Sequence, residues 1–195
     1  MTEHKESLRK WLRVLFDAQI ASIALTVINA VTYLDSITVW VNRALPLVVI
    51  WSLFQIKEVS PRYRTAAITR TGSLICSLLT LPVNTSGLGL SSILMLAGST
   101  CLWITEYQEY HGHGELVAEA DQKLAKRWKD LFIWEVVIAL GTSVISIGGV
   151  TLLMTMDLLT TTISTILIAV TTVIGLITEG LYLLYMKRTL NLLDN

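Results

Sequence analysis

The sequence predicts an all-α membrane protein, a polytopic bundle of six transmembrane helices, and three observations lead to this prediction. Of the 195 residues, 53% are hydrophobic and 15% are charged, whereas soluble domains average about 25% charged residues. The mean hydropathy is +0.61. The apolar residues are concentrated in long runs, and the basic residues lie between those runs. This composition does not suit a soluble enzyme, a disordered segment or a protein that binds nucleic acid through bulk charge.

The apolar runs have the length that a bilayer requires. A transmembrane helix needs roughly 20 apolar residues to cross about 30 Å of hydrocarbon. Six segments meet or approach this length and form one transmembrane domain: 14–34, 37–56, 66–83, 88–107, 131–153 and 158–186. The second contains Asn42, Arg43 and Pro46, so five spans with a re-entrant second segment is the alternative. The sixth is long for one span, which predicts either a tilt or an exposed helical extension.

Short connections separate the spans on one side, and the sequence marks one helix start clearly. Ser60 can cap a helix whose first residue is Pro61. Tight turns are expected at 35–36, 84–87 and 156–157. These connections leave the segment between the fourth and fifth spans as the one long loop.

That long connection, 108–127, is predicted to contain a cytoplasmic helix. Gly112 and Gly114 are expected to end the fourth helix. From Glu115 onward, apolar residues recur at helical intervals, which favours a short amphipathic helix that runs into the fifth span.

The placement of the basic residues orients the bundle. All 15 lysines and arginines except Arg43 fall on one side of an even-numbered topology. The positive-inside rule then places both termini in the cytoplasm and the spans in a plasma (inner) membrane. The first apolar run follows acidic residues and lacks a cleavage motif, so we interpret it as a retained span. Cys76 and Cys101 lie in apolar runs and indicate no redox compartment.

Ionisable residues within the spans are the candidate functional residues, because a charge in a bilayer costs several kcal/mol unless it is paired or hydrated. Five lie toward the cytoplasmic ends of the spans: Asp17, Arg70, Glu106, Glu135 and Glu179. One interpretation is the inner mouth of a cation or proton path. The other is a set of ion pairs, such as Arg13 with Asp17, that hold helices together.

Asn42 and Arg43 form a second polar site on the opposite side. Polar groups at that depth must face protein or water. Arg43 would attract an anion or stabilise a broken helix, or else extend to the outer headgroups.

The histidines predict neither a metal site nor a cofactor. His111 and His113 lie among three glutamates, but a His-x-His pair does not align two imidazoles on one helical face. With Gly112 and Gly114 in between, we expect a solvated loop. The sequence also contains none of the common hydrolase, metalloprotease, phosphate-loop or redox motifs.

These observations favour an ion or small-solute channel or transporter that acts as an oligomer within the lipid bilayer. The alternative is a non-catalytic accessory or assembly subunit of a larger membrane complex. In that case the stripes of small residues in the spans, among them Gly141, would contact a partner. A membrane-embedded enzyme is a third option with little support.

Overall fold

The computed structural model describes the backbone of residues 2–32, 35–80, 89–155 and 161–194, and the side chains of 5–28, 41, 44–80, 89–143 and 169–194. These residues form six helices and no strand, so the all-α class is confirmed. The helices are α1 (Thr2–Thr32), α2 (Asp35–Gln55), α3 (Pro61–Thr80), α4 (Leu90–Val117), α5 (Gln122–Thr155) and α6 (Thr161–Asp194).

The predicted start of α3 is confirmed. Pro61 is its first residue, and the Ser60 hydroxyl accepts a hydrogen bond from the Arg62 backbone N–H at 3.2 Å. This is the usual way in which a serine satisfies a free donor at a helix start. The turns predicted at 84–87 and 156–157 lie outside the described residues. The turn predicted at 35–36 is wrong, because α2 already begins at Asp35.

The predicted helix break at Gly112 and Gly114 is wrong, since α4 continues to Val117. The two glycines serve close packing instead. A Cβ at 112 would lie 3.1 Å from the Tyr63 ring, and one at 114 would lie 3.2 Å from the Ala125 carbonyl oxygen. Gly thus allows α3 and α5 to approach α4 closely, while tertiary contacts outweigh its low helix propensity.

The helix predicted to begin at Glu115 begins instead at Gln122. The Asp121 carboxylate accepts a hydrogen bond from the Leu124 backbone N–H at 2.9 Å, which caps α5. From there α5 runs without interruption for 34 residues, or about 50 Å.

The six helices form a ring in chain order, in which each contacts the next and α6 returns to α1. The contact between α3 and α4 is the most extensive. It contains two reciprocal glycine–cysteine contacts, Gly72 against Cys101 and Gly98 against Cys76. Both cysteines are free thiols and half-buried.

The core lies at one end of this ring, which we call the packed end. It is formed by the starts of α1, α3 and α5 and the ends of α2, α4 and α6. Its fully buried large side chains include Leu12, Leu53, Tyr63, Trp128 and Met186. Because Tyr182, Met186 and Thr189 are buried, the end of α6 packs on one face against the rest of the bundle.

Two helical segments, Lys5–Ile28 and Ala169–Asp194, are long and apolar enough to cross a membrane when only the described side chains are considered. Ala44–Gln55 is a shorter apolar segment. These segments weakly support membrane association, and six spans remain a prediction.

Candidate functional site

The inner face of α4 carries a row of ionisable residues. Glu106, Glu109 and His113 follow one another at intervals of three and four residues, which places them on the same side of a helix. The same spacing also aligns Tyr110 with Glu106. The row therefore runs from the middle of the bundle into the packed end.

Glu106 meets two further carboxylates at a cavity between α4, α5 and α6. This glutamate cavity has a volume of about 330 Å³ and is lined by Glu106, Glu135 and Glu179, together with Trp103 and Thr178. The three glutamate residues are half-buried. Three helices thus contribute one carboxylate each to a single space.

Neutral donors fix two of these carboxylates. The Tyr110 hydroxyl donates a hydrogen bond to Glu135. The Gln19 side-chain amide of α1 donates one to Glu179 and so joins the first and last helices. Neither donor carries a charge, so the negative charge of an ionised glutamate is not cancelled by its hydrogen-bond partner.

Arg70 of α3 interacts electrostatically with several of these glutamates. Its charge acts on Glu106, Glu109 and Glu179. The structure therefore brings Arg70 into the environment of several glutamates, with four carboxyl groups for one guanidinium.

Glu109 and His113 form a buried pair one turn further into the packed end. His113 is fully buried, and its Nε2 lies 3.6 Å from Glu109 Oε1. The Tyr182 hydroxyl donates to the same carboxylate oxygen at 2.6 Å and lies 3.4 Å from His113 Nε2. On the other side of the ring, the Tyr63 hydroxyl lies 2.8 Å from Nδ1.

The environment of this pair favours an ionised Glu109. Burial by itself would raise the pKa of Glu109, but the hydrogen bond and charge of His113, the charge of Arg70 and the Tyr182 hydroxyl together lower it. The pKa of Tyr63 is raised well above its usual value, because the ring is buried and lies near Glu109 and Glu115. The Tyr63 hydroxyl is thus neutral and can donate or accept.

Aromatic rings enclose the pair. The Trp128 ring lies against His113 with centroids 4.7 Å apart and meets the edge of Tyr182 at 5.3 Å. Its indole N–H donates to the Thr189 hydroxyl at 3.2 Å. These contacts join α4, α5 and α6 and separate the imidazole from solvent.

A partly exposed charged cluster joins the start of α3 to α4. The Arg62 guanidinium contacts Glu115 at 2.5 Å and donates to the Gln108 side chain at 3.1 Å. Ser60 donates to the other Glu115 oxygen at 3.1 Å. Partial burial would raise the pKa of Glu115, but the hydrogen bonds from Arg62 and Ser60 lower it.

The structure brings together three of the residues singled out from the sequence, Glu106, Glu135 and Glu179, and the charge of a fourth, Arg70, acts on Glu106 and Glu179. Asp17 is not among them, since it is exposed and lines an outer groove with Arg9 and Arg13. Asn42 and Arg43 lie within α2, and their side chains lie outside the described residues.

Sequence reasoning considered Glu109 and His113 only as metal ligands and rejected them, and it did not single out Tyr110 or Tyr182. The prediction of a solvated loop around the histidines is wrong, because α4 continues and buries His113. The spacing of three and four residues through Glu106, Glu109 and His113 was the available signal, and the interpretation of Gly112 as a helix end obscured it.

Metal binding finds no support among the described side chains, where no three histidine, cysteine or acidic residues are grouped closely enough to hold an ion. His111 and His113 diverge, because residues two apart lie about 200° apart around a helix. His111 is half-exposed and bonds through Nδ1 to the Tyr107 carbonyl of its own helix at 2.9 Å.

No family model, curated protein or solved structure matches this chain.

Proposed function

We propose that this chain spans a membrane with six helices, both termini cytoplasmic, and that it transports a small cation, acting as an oligomer. The observation that carries the proposal is the convergence of Glu106, Glu135 and Glu179 on one cavity. Carboxylates inside a bilayer are costly, and they commonly mark ion pathways and proton relays.

The sign of the interior charge favours a cation. Glu106, Glu135 and Glu179 line the cavity, Glu109 lies one turn further along α4, and the charge of Arg70 acts on three of these four glutamates. Their hydrogen-bond donors, Tyr110 and Gln19, are neutral. An entering cation or proton would offset the negative charge of an ionised glutamate, whereas an anion would add to it.

The outer surface supports a lipid environment. Soluble monomers rarely expose apolar patches larger than a few hundred Å². Away from the packed end, every described helix exposes large apolar side chains, including Leu47, Ile75, Ile93, Leu96, Leu140, Val173 and Ile177. Such a surface suits acyl chains, while the core at the packed end suits helix extensions that project into water.

Exposed basic residues support the orientation. They occur at the packed end on several helices, as at Lys10, Arg64, Lys123, Arg127 and Lys187. By the positive-inside rule this end would face the cytoplasm.

Reconstitution into liposomes tests the proposal. Cation flux would be measured for the unmodified protein and for Glu135→Gln and Glu179→Gln, with Glu119→Gln as the matched control, since Glu119 is exposed in the turn before α5. We expect about a tenfold loss of flux for the cavity variants, the factor that corresponds to about 1.4 kcal/mol, and no loss for the control. Absence of cation flux in the unmodified protein would refute the proposal.

An accessory or assembly subunit is the second candidate, and the exposed glycines favour it. Gly141 and Gly180 lie inside helices, where a Cβ would meet nothing within 4 Å. A helical glycine with no neighbour costs about 1 kcal/mol relative to alanine without an evident benefit in this chain. Close approach of a helix from another chain would give these glycines a packing role. A stoichiometric partner in purified material, together with no flux, would establish this function; a homo-oligomer by native mass would fit transport.

A further inference from the structure

The Glu109–His113 pair does not line the glutamate cavity, but it lies close to it along α4. Glu109 is three residues from Glu106 on α4, a rise of about 4.5 Å, and its charge acts on both Glu106 and Glu179. The pair also extends toward the start of α3 through Tyr63. It thus lies between the cavity and the charged surface cluster of Arg62 and Glu115.

We propose that the transported cation is the proton and that Glu109 and His113 form its binding site at the packed end. This inference rests on the proposed function and specifies the cation. Its basis is the buried imidazole of His113, which has one hydroxyl at each ring nitrogen and a carboxylate within 4 Å.

The hydroxyl partners suit a group that gains and loses a proton. A hydroxyl can donate or accept, whereas an ammonium can only donate and a carboxylate can only accept. Neutral His113 can accept from Tyr63 at Nδ1 and donate from Nε2–H. Protonated His113 can donate at both nitrogens, to Tyr63 and toward Tyr182 and Glu109. The hydrogen bonds at both nitrogens therefore persist in both protonation states.

The proton has a balanced route from His113 to Glu109. The Tyr182 hydroxyl lies 2.6 Å from Glu109 Oε1 and 3.4 Å from His113 Nε2. Tyr182 can pass its own proton to the carboxylate while it accepts the one on Nε2. Tyr182 is neutral before and after, His113 loses one proton, and Glu109 gains one. No electron is transferred.

The charged and titratable groups around the Glu109–His113 pair come from three helices. Tyr63 and Tyr182 lie at the imidazole nitrogens, and Glu109 interacts electrostatically with Arg70 of α3, Glu106 of α4 and Glu179 of α6; α5 contributes the uncharged Trp128. Of these, Glu109 and Tyr182 lie on the Nε2 side of the ring, and Tyr63 lies on the Nδ1 side. A proton on His113 therefore has acceptors on both sides.

Proton flux in liposomes tests the inference. A pH-sensitive dye would report proton entry, and a parallel assay would report Na⁺ and K⁺. The variants are His113→Gln, which keeps a hydrogen-bonding side chain but cannot titrate, and His111→Gln, the control one half-turn away on α4. We expect His113→Gln to lower proton flux about tenfold or more, as loss of a proton-transfer group does, and to flatten its pH dependence. The control should match the unmodified protein.

A second measurement protects against a variant that fails to fold. The chain has three histidines, so ¹⁵N-histidine labelling gives three sets of imidazole signals, which His111→Gln and His113→Gln assign. We expect the His113 signals of the unmodified protein to change with pH over the interval in which proton flux changes, and Tyr63→Phe to alter them.

The outcomes separate this inference from the proposed function. Na⁺ or K⁺ flux without proton flux would overturn the proton assignment and leave cation transport standing. Proton flux that His113→Gln does not change, or His113 signals that do not respond to pH, would remove the pair from the path. Absence of all cation flux would overturn both.

Discussion

The clearest quantitative prediction concerns Trp128. The side chain is fully buried at the centre of the packed end, touches His113, Tyr110 and Tyr182, and donates to Thr189. A buried tryptophan removes about 200 Å² from water, or about 5 kcal/mol at 25 cal/mol per Å². Neighbouring side chains partly fill the space that the removed ring leaves, which reduces this loss, so Trp128→Ala should lower the free energy of unfolding by about 3–5 kcal/mol. For a chain of this size the melting midpoint should fall by about 6–20 °C.

The matched control is Trp134→Ala on the same helix. Trp134 is 63% exposed, because six residues turn an α-helix by about 600° and bring it to another face. We expect a change below about 0.5 kcal/mol, or about 2 °C. Both midpoints can be measured with a thiol-reactive fluorescent dye, since Cys76 and Cys101 are free and half-buried at the α3–α4 contact. An equal fall in the melting midpoint for the two variants, or a larger fall for Trp134→Ala, would refute the orientation of α5 about its axis in the bundle.

Two further predictions concern stability. Gly112→Ala should lower the melting midpoint, because its Cβ would lie 3.1 Å from the Tyr63 ring and overpacking costs about 1–3 kcal/mol; Gly141→Ala, with open space around its Cβ, should raise stability by up to about 1 kcal/mol. The reverse order of the two midpoints would contradict the packing of α3 on α4. The pKa of Glu115 is lowered in the folded protein, although burial acts in the opposite direction, since Arg62 and Ser60 hydrogen-bond to its carboxylate. The stabilisation that ionised Glu115 gives the folded protein is therefore present above the unfolded pKa of about 4.3 and is lost as pH falls through the lower folded pKa. The free energy of unfolding of the Arg62→Gln variant should thus be lower than that of the unmodified protein by less than about 1 kcal/mol near neutral pH, as for exposed pairs. Melting curves from pH 3 to 6 should show this difference shrinking in acid. A difference that does not depend on pH would exclude the Arg62–Glu115 pair as its source.

The wrong predictions of a helix break after the fourth span and of a solvated loop around the histidines share one cause, the local interpretation of glycine. Gly112 and Gly114 are typical of a helix end when the chain is considered alone. In the bundle they are contact points, where Tyr63 and the α5 backbone come closer than a Cβ would allow. Because the loss in helix propensity is about 1 kcal/mol per glycine, packing of this extent outweighs it. His113 is buried for the same reason.

Of the ionisable residues singled out from the sequence, some line the cavity and others do not. Glu135 and Glu179 were singled out because charge at membrane depth is costly, and this reasoning needs no knowledge of neighbours. Their grouping with Glu106 was one of two interpretations of the sequence, which could not decide between them because the grouping depends on the rotation of α4, α5 and α6 about their axes. Asp17 satisfied the same criterion, yet α1 turns it outward.

The sequence by itself determined the helical class, the start of α3 at Pro61 and the ionisable residues that lie within apolar segments. Those features follow from composition, capping and hydropathy, which act over one or two helical turns. The tertiary structure alone decided that the helices close into a ring, that three glutamates share a cavity and that Glu109 and His113 form a buried pair. Those features depend on which face each helix turns inward, and that is set by contacts between residues far apart in the chain, such as the 73 positions that separate Tyr182 from Glu109.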